Sequence, residues 1–326
     1  MDLIKKIHSY LSKDIDSMNE VIVDSLSVEE DLIQLVSNHL ANAGGKRMRP
    51  ILTLLTAKMF ENTNDKAIRL AAAVEFIHMA TLLHDDVVDG SKMRRFLPTA
   101  NVVWGSKASI LVGDFLFSQS FKLIVSTELL PALVALSNAS AIIAEGEVSQ
   151  LTKLEQKRIV TESEYLSVIN AKTAELFGSA CAVGAIVSGR EDMADSLRVF
   201  GLRLGNIFQI ADDALDYFSQ SDKVGKNIGD DFYEGKVTLP LILLNSKASD
   251  ADRVHLQKII ESPERTKDDF DVVLKLMQEY DIKQELADYL GKLKYEAISV
   301  LDNIDTKHEA KQYLNDLVEF AISRSY

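Results

Sequence analysis

Two clusters of carboxylates carry the residue types and spacing that could do chemistry in this sequence. Each cluster ends an apolar stretch and holds three aspartates at i, i+1 and i+4. The clusters are Asp85, Asp86, Asp89 and Asp212, Asp213, Asp216. On a helix, residues four apart share a face, and carboxylates this close repel one another unless a cation offsets their charge. Hard carboxylate oxygens are the ligands that Mg²⁺ prefers, so the spacing predicts a metal site.

Basic residues lie near both clusters in sequence. A Gly-rich basic loop precedes Pro50, and basic side chains beside the free N–H groups of a helix start form a good anion site. The basic set is Lys46, Arg49, Arg94, Arg95 and Lys226. Metal and basic groups together suit a diphosphate, which leaves readily once its charge is neutralised. The alternative is that Arg94 and Arg95 only balance a solvated acidic helix end.

The elements that must position these groups are predicted to be helices. The first cluster ends a helix over about residues 65–89, and His78 shares the face of Asp85 two turns away. At the N-terminus, residues 1–40 have helical apolar spacing, and Ser27 with Glu30 predicts a capping box.

Two further stretches frame the candidate site. Pro50 is expected to be the first residue of a helix that follows the basic loop. Residues 223–240 are rich in glycine and charge, which indicates a loop that closes over a site. The spacing before Lys236 does not match a P-loop.

Composition favours an all-α protein. The 326 residues are 47% hydrophobic and 26% charged, with only 5 Pro and 15 Gly, and good helix formers recur throughout. No alternating β-branched runs indicate a sheet. We therefore expect one helical domain over residues 1–326.

Charge and cysteine content restrict partners and compartment. The net charge of −13 argues against nucleic-acid binding. The single cysteine, Cys181, lies among alanines and is expected to be a buried, inert thiol. No continuous apolar run reaches the length of a bilayer span, and the N-terminus lacks a signal peptide. We expect a cytoplasmic protein.

These motifs, in this order, resemble the trans-prenyl diphosphate synthases. The matching segments are 44–50 (GGKRMRP), 83–90 (LHDDVVDG), 93–95 (MRR), 113–116 (GDFL), 172–173 (KT), 209–217 (QIADDALDY), 225–226 (GK) and 235–240 (GKVTLP). The resemblance implies helices bundled around a central cavity, the isoprenoid synthase type I fold, usually as a homodimer.

The resemblance also implies a role for each matching residue. Mg²⁺, as three ions with substrate bound, would be held by Asp85, Asp89 and Asp212, supported by Asp86, Asp213 and Asp216. The diphosphate of isopentenyl diphosphate would be held by Lys46, Arg49, His78 and Arg95. The allylic diphosphate would be held by Arg94, Lys172 and Lys226. Thr173 and Gln209 would stabilise the allylic cation.

Product length should be set along the helix that carries the first cluster. Short-chain members of the family carry aromatic residues where this chain has the small Ala80 and Thr81. Because the path is then open at least to Ile77, about 12 Å below Asp85, we expect about 35 to 50 carbons, with octaprenyl diphosphate for a quinone side chain as the specific candidate. Val74 lies deeper, and Phe117 or Phe121 could form the floor.

Four alternatives remain open. A shorter-chain farnesyl or geranylgeranyl synthase would share every motif. A non-catalytic partner subunit would lose acids or basic anchors, and a terpene cyclase would not need the isopentenyl site. Glu75 and His78 also match the Glu-x-x-His pattern of di-iron bundles, although no second copy occurs.

A long product must reach a bilayer, so we also expect peripheral membrane association during its release.

Overall fold

The structure, a computed structural model, describes residues 3–94, 97–218 and 228–323, apart from the side chains of 154 and 155. Regular structure in these ranges is almost entirely helical. Two-residue strands, β1 (Met93–Arg94) and β2 (Leu97–Pro98), form an antiparallel pair in which Met93 lies opposite Pro98. The predicted all-α fold is confirmed.

Most connections between successive helices in the described ranges are short. In chain order the helices are α1 (Leu3–Tyr10), α2 (Ser12–Leu26), α3 (Asp31–Asn42), α4 (Met48–Met59), α5 (Asp65–Val88), α6 (Ala100–Trp104), α7 (Ser106–Ser126), α8 (Leu130–Glu155), α9 (Glu162–Ile169), α10 (Glu175–Val187), α11 (Ala194–Phe218), α12 (Asp230–Tyr233), α13 (Leu239–Lys247), α14 (Asp250–Glu261), α15 (Lys267–Glu279), α16 (Ile282–Asp302) and α17 (Glu309–Ser323). A π-helical turn (Asn170–Ala174) joins α9 to α10, and a 3₁₀ turn (Glu191–Met193) precedes α11.

The chain divides into two compact units. The first comprises Met1–Ser140, Leu176–Gly201 and Val300–Asp316, and the second comprises Ala141–Glu175, Leu202–Ser299 and Leu317–Tyr326. The first carboxylate cluster belongs to the first unit and the second cluster to the second. A single domain over residues 1–326 stays a prediction.

The N-terminal region is more broken than its apolar spacing predicts. α2 ends at Leu26 and α3 begins at Asp31, with Glu30 as its N-cap. The predicted capping box from Ser27 to Glu30 is wrong, because the Ser27 hydroxyl donates back to the carbonyl of Val23 at 3.0 Å. This bond continues the preceding helix instead of starting the next one.

The basic loop before α4 also differs in detail from the prediction. α4 begins at Met48 with Arg47 as N-cap, so Pro50 is its third residue and not its first. Pro50 is tolerated there because the first four N–H groups of a helix have no intrahelical partner. Arg47 has a left-handed backbone, with φ +47°, and its side chain donates to Asn19 of α2.

α5 agrees with its predicted bounds within a residue. The side chain of Asn64 caps it by accepting the N–H of Ala67 at 3.0 Å. Nearly every side chain over 67–80 is buried, whichever way it faces, as expected for a helix that is apolar all round. Burial on every side fixes the direction in which α5 presents its last turn.

α5 and α7 pack antiparallel within the first unit. Near one end, the Ser109 hydroxyl donates to the carbonyl of Leu83 at 3.0 Å. Near the other, Arg69 donates to the Ser126 hydroxyl at 3.2 Å. These two contacts set the register between the helices.

α5 and α7 are also long and apolar enough to cross a bilayer, by length and composition. The prediction of no span counts only uninterrupted apolar runs, whereas these helices contain a few charged residues. In α5, 67% of the apolar window is buried inside the protein. That burial is the behaviour of a core helix.

α4 and α10 approach closely in the first unit. The Thr53 hydroxyl donates to the carbonyl of Ala180 at 3.0 Å, and a Cβ at Gly184 would lie 2.6 Å from the carbonyl oxygen of Thr53. Cys181 is buried at this contact, and burial raises the pKa of its thiol to about 12. The prediction of a buried, inert thiol is confirmed.

Candidate active site

The first carboxylate cluster occupies the end of α5. Asp85 is half-buried and Asp89 is exposed, whereas only 1% of Asp86 is exposed. Asp85 and Asp89, one turn apart, therefore present oxygens to the surface, and Asp86 points into the protein.

Arg94 of β1 neutralises the buried Asp86. Its terminal nitrogen donates to Asp86 Oδ1 at 2.8 Å, and its Nε lies 3.2 Å from both carboxylate oxygens. This contact supports the interpretation that Arg94 balances the charge of the acidic helix end. Its predicted role in holding the allylic diphosphate stays a prediction, and Arg95 lies outside the described residues.

Two residues that the sequence analysis did not single out anchor this hairpin to α5. The Thr99 hydroxyl donates to the carbonyl of Ser91 at 2.6 Å. The Asn101 amide donates at 3.1 Å to the carbonyls of both Asp86 and Ser91. Asn101 thereby adds a second donor to the carbonyl of Asp86, which also accepts the N–H of Ser91 at 3.0 Å, and β1 carries Arg94 back to Asp86.

α7 supports the same helix end from the other side. His84 Nε2 lies 3.2 Å from the carbonyl oxygen of Ile110 and 3.5 Å from Asp114. A Cβ on Gly113 would stand 2.3 Å from that nitrogen, so only glycine leaves room for the ring. The glycine–aspartate pair of the 113–116 motif is thus a support for α5.

The predicted isopentenyl anchors come together in part. The Arg49 guanidinium donates to His78 Nε2 at 3.1 Å and lies over the ring of Phe177, 4.7 Å from its centroid. Lys46 stands two residues before α4 and is half-buried.

The second carboxylate cluster, on α11, repeats the pattern of burial. Asp212 and Asp216 are half-buried, and Asp213 is 4% exposed. Asp213 accepts hydrogen bonds from the Tyr165 hydroxyl at 2.6 Å and from Gln209 Nε2 at 2.8 Å. Burial, with the charge of Asp231 next, raises the pKa of Asp213 to about 8.

Thr173 and Gln209 belong to one hydrogen-bonded chain. The Thr173 hydroxyl donates to Gln209 Oε1 at 2.9 Å, and Gln209 in turn donates to Asp213. These two predicted cation-stabilising residues therefore lie together. Tyr165, at the other end of the chain, was not singled out from the sequence.

Lys172 projects from the π-helical turn. Its ammonium donates to Glu147 Oε2 of α8 at 2.9 Å. A Cβ on Gly146 would lie 2.6 Å from the Cβ of Ala171, so α8 touches the turn closely. π-Helical turns widen a helix locally and are frequent at functional sites. The polarity of 170–173 within an apolar run was the available signal, although it did not reveal the π turn.

The residues expected to set product length line one side of α5. Ile77 and Ala80 are buried, and the half-buried Thr81 donates its hydroxyl to the carbonyl of His78 at 2.8 Å. The antiparallel register brings Phe117 of α7 near the level of Ile77, and Phe121 near that of Val74. The two phenylalanine rings pack edge to face, 5.1 Å apart.

The carboxylates suit a Mg²⁺ site in which the substrate supplies some of the ligands better than a site in which the protein supplies them all. Within the described ranges, His, Cys, Asp and Glu side chains form no cluster of three or more that could hold a metal, which leaves the di-iron alternative without support. Mg²⁺ is usually bound by one or two carboxylates together with water and substrate phosphates. Asp85 and Asp89, one turn apart at an accessible helix end, offer that donor set. Lys226 lies outside the described residues.

Known proteins match this chain along most of its length. The sequence profile of the polyprenyl synthetase family matches residues 30–277. An octaprenyl diphosphate synthase from Haemophilus influenzae is 37% identical, with 99% of this chain and 98% of the relative aligned. An all-trans-nonaprenyl-diphosphate synthase (geranyl-diphosphate specific) from Rhodobacter capsulatus is 46% identical over 74% of each chain.

The fold also matches a solved structure closely. A polyprenyl synthase from Caulobacter crescentus, crystallised with calcium and isoprenyl diphosphate, superimposes with a TM-score of 0.92 at 40% identity. The match covers 99% of this chain and 98% of that one.

Proposed function

The chain belongs to the polyprenyl synthetase family, as an all-trans polyprenyl diphosphate synthase with the isoprenoid synthase type I fold, and from this premise we propose that its product is long. The observation that carries the proposal is the pair of small residues Ala80 and Thr81 on α5. Neither side chain is large enough to stop a growing chain before Ile77, about 12 Å below Asp85, which suits a product of about 35 to 50 carbons. Octaprenyl diphosphate, destined for a quinone, is the specific product proposed.

In the proposed reaction, the chain's own residues bind and orient two diphosphates. Lys46, Arg49 and His78, with Arg95, hold the isopentenyl diphosphate. Lys172, Arg94 and Lys226 hold the allylic diphosphate, whose hydrocarbon enters along α5. Asp85, Asp89 and Asp212 would hold Mg²⁺, as three ions when substrate is bound. When bound, Mg²⁺ neutralises the allylic diphosphate and so makes it a good leaving group.

The carbon–carbon bond then forms at the allylic carbon. The allylic carbon–oxygen bond breaks, diphosphate departs with the electron pair, and Thr173 and Gln209 stabilise the resulting cation. The isopentenyl double bond attacks that carbon, and a proton from the isopentenyl unit passes to the released diphosphate. No side chain is required to act as a general base with a shifted pKa.

Arg94 can serve both the buried carboxylate and the substrate. Its Nε and one terminal nitrogen face Asp86, and the guanidinium has a second terminal nitrogen on its other edge. By binding one edge of the guanidinium, Asp86 would orient the other edge of Arg94 toward the allylic diphosphate. This role explains why the middle acid of the motif is buried.

We also propose a cytoplasmic homodimer that touches a membrane while releasing its product. α7 supports the dimer, because it exposes the adjacent Ile110 and Leu111 on its surface (Leu111 is 67% exposed). Large apolar side chains grouped on a helix typically mark an interaction surface. Light scattering on the purified protein, with Leu111→Glu beside it, tests this surface through the measured mass.

The class of reaction is tested by turnover of isopentenyl diphosphate. Purified protein with Mg²⁺ and a farnesyl diphosphate starter should incorporate labelled isopentenyl diphosphate, and EDTA should stop incorporation. A partner subunit or a terpene cyclase would consume none. From the farnesyl starter, a geranylgeranyl synthase would stop after one addition, and a farnesyl synthase would make none, because the starter is already its product.

A further inference from the structure

The segment that follows the second carboxylate motif is attached to Asp216 by its backbone. The N–H of Gly229 donates to the carbonyl of Asp216 at 2.9 Å. The N–H of Asp231, in the first turn of α12, donates to the Asp216 carboxylate at 3.1 Å. One oxygen of the last aspartate in the motif is therefore oriented by α12, so the position of α12 matters to the motif.

Arg265, between α14 and α15, holds α12 from behind. Its guanidinium donates to three backbone carbonyls, those of Phe232 at 2.7 Å, Gly235 at 3.2 Å and Ile260 at 3.3 Å. It also lies over the ring of Phe232, 5.2 Å from the centroid. Phe232 lies in the last turn of α12 and Gly235 two residues beyond it, so Arg265 binds the backbone where α12 ends. The planar guanidinium with its five donors suits such a set, whereas a lysine ammonium does not.

Phe270 of α15 fills the space between α12 and the motif. Its ring centroid lies 5.3 Å from that of Phe232, 5.6 Å from that of Tyr233 and 5.9 Å from that of Tyr217, which follows Asp216 directly. Gly229 permits this contact: its φ is +86°, and a Cβ there would stand 2.9 Å from the ring of Phe270. The aromatic cluster thus joins α15, α12 and the end of α11.

We infer that Arg265 and Phe270 are positioning residues for the second carboxylate motif, acting through α12 on the carboxylate of Asp216. This inference rests on the proposed function, since it assigns the motif to Mg²⁺ and diphosphate. It also gives α14 and α15, which carry no recognisable motif, a part in the reaction. Neither residue touches substrate in this account.

The first readout is hydrogen exchange and does not depend on activity. In the metal-free protein, the amide of Asp231 should be protected, and Arg265→Met should abolish that protection within 228–236. Arg253→Met is a matched control, because Arg253 also donates to two backbone carbonyls, those of Asn245 and Ser246, but does not contact α12. It should leave the exchange of 228–236 unchanged.

The second readout separates positioning from general stability. Arg265→Met should raise the KM for the allylic diphosphate and the half-saturating Mg²⁺ concentration by about tenfold, the lower end of the effect of losing a support behind metal ligands. The kcat at saturation should change much less. Arg265→Lys should recover part of both constants, and Arg253→Met should keep wild-type values.

Three results would overturn the inference. One is unchanged protection of Asp231 in Arg265→Met. Another is lost protection with wild-type KM and Mg²⁺ dependence, which would make Arg265 a purely structural residue. If circular dichroism shows that Arg265→Met is unfolded, Phe270→Leu is judged by the same two readouts, and wild-type values there count against the inference. A wild-type protein without turnover would defeat the proposed function, while the exchange data would still decide whether Arg265 holds α12.

Discussion

At the end of α5 and in the last turns of α11 the same spacing of aspartates occurs, and in both the middle carboxylate is buried. The partners of that carboxylate differ. Asp86 is bound by the Arg94 guanidinium at 2.8 Å, whereas Asp213 accepts from the neutral Tyr165 hydroxyl and Gln209 amide. A cation offsets the buried charge in the first case. In the second case neutral donors do not, and burial raises the pKa of Asp213 to about 8.

The difference shows that the same spacing of aspartates can be accommodated in two ways, with the buried middle aspartate bound either by a cation or by neutral hydrogen-bond donors. In the proposed function, the outer aspartates act on Mg²⁺, with Asp85, Asp89 and Asp212 as ligands and Asp216 in support, while each middle aspartate binds the side chains around it. In the first motif the middle aspartate binds Arg94, and in the second it accepts from Gln209, which in turn accepts from Thr173. The motifs should therefore respond alike to changes at the outer positions and differently at the middle ones.

The largest effect is expected at the outer positions. Asp85→Asn and Asp212→Asn should each lower kcat by at least about 10²-fold, because each removes a charged ligand of the proposed Mg²⁺ site. The measurement is incorporation of isopentenyl diphosphate at saturating Mg²⁺. Asp65→Asn, at the exposed start of the same α5, is the control and should retain wild-type kcat. Activity retained by only one of the two variants would break the proposed equivalence of the motifs.

At the middle positions the two motifs should diverge in stability. Arg94→Met leaves Asp86 buried without its cation and should reduce the free energy of unfolding by about 3 kcal/mol. Tyr165→Phe removes one hydrogen bond to Asp213 and should cost about 1–2 kcal/mol. Urea unfolding of the metal-free protein measures both values. Arg94→Lys keeps the charge, and its free energy of unfolding should lie between those of wild type and Arg94→Met. Equal losses of stability in Arg94→Met and Tyr165→Phe would show that the two buried aspartates do not depend on different kinds of partner.

A smaller and pH-dependent effect is expected where α9 begins, just before Tyr165. Glu164 completes a capping box with Thr161 and binds Arg158, and these contacts, that to Arg158 first, lower the pKa of its carboxyl to about 2. A depressed carboxyl pKa stabilises the fold above the unfolded-state pKa, near 4.3, and this stabilisation is lost as pH falls toward the folded-state value. Glu164→Gln should therefore lower the melting temperature slightly at pH 7, and the gap should narrow below about pH 4. A gap that is constant with pH would show that the charge of Glu164 contributes nothing.

Much of this arrangement is predictable from sequence because it depends on local spacing. The all-α fold, the bounds of α5, and the buried Cys181 follow from composition and apolar runs. The capping box at Ser27 is wrong because a hydroxyl can donate back to its own helix as easily as it can cap the next. Pro50 is misplaced by two residues because proline is tolerated throughout the first turn.

The supports of the site are not predictable in the same way. Tyr165 meets Asp213 across 48 positions of sequence, and the Arg265 donors meet α12 across 30 or more. No local pattern marks such pairs, because the partners are joined only by the packing of helices distant in sequence. The π-helical turn at Lys172 likewise packs closely against Gly146, which is distant in sequence. Sequence identifies the groups that do chemistry, and packing determines what holds them.

Product length tests the central proposal most directly. Wild-type protein, with Mg²⁺, farnesyl diphosphate and excess isopentenyl diphosphate, should release octaprenyl diphosphate as its main product by reversed-phase analysis. Ala80→Tyr should stop elongation at a much shorter chain, because the ring would cross the path about 7–8 Å below Asp85, while Ala80→Ser should retain the long product. A short product from the wild-type enzyme, or an unchanged product length in Ala80→Tyr, would contradict the account.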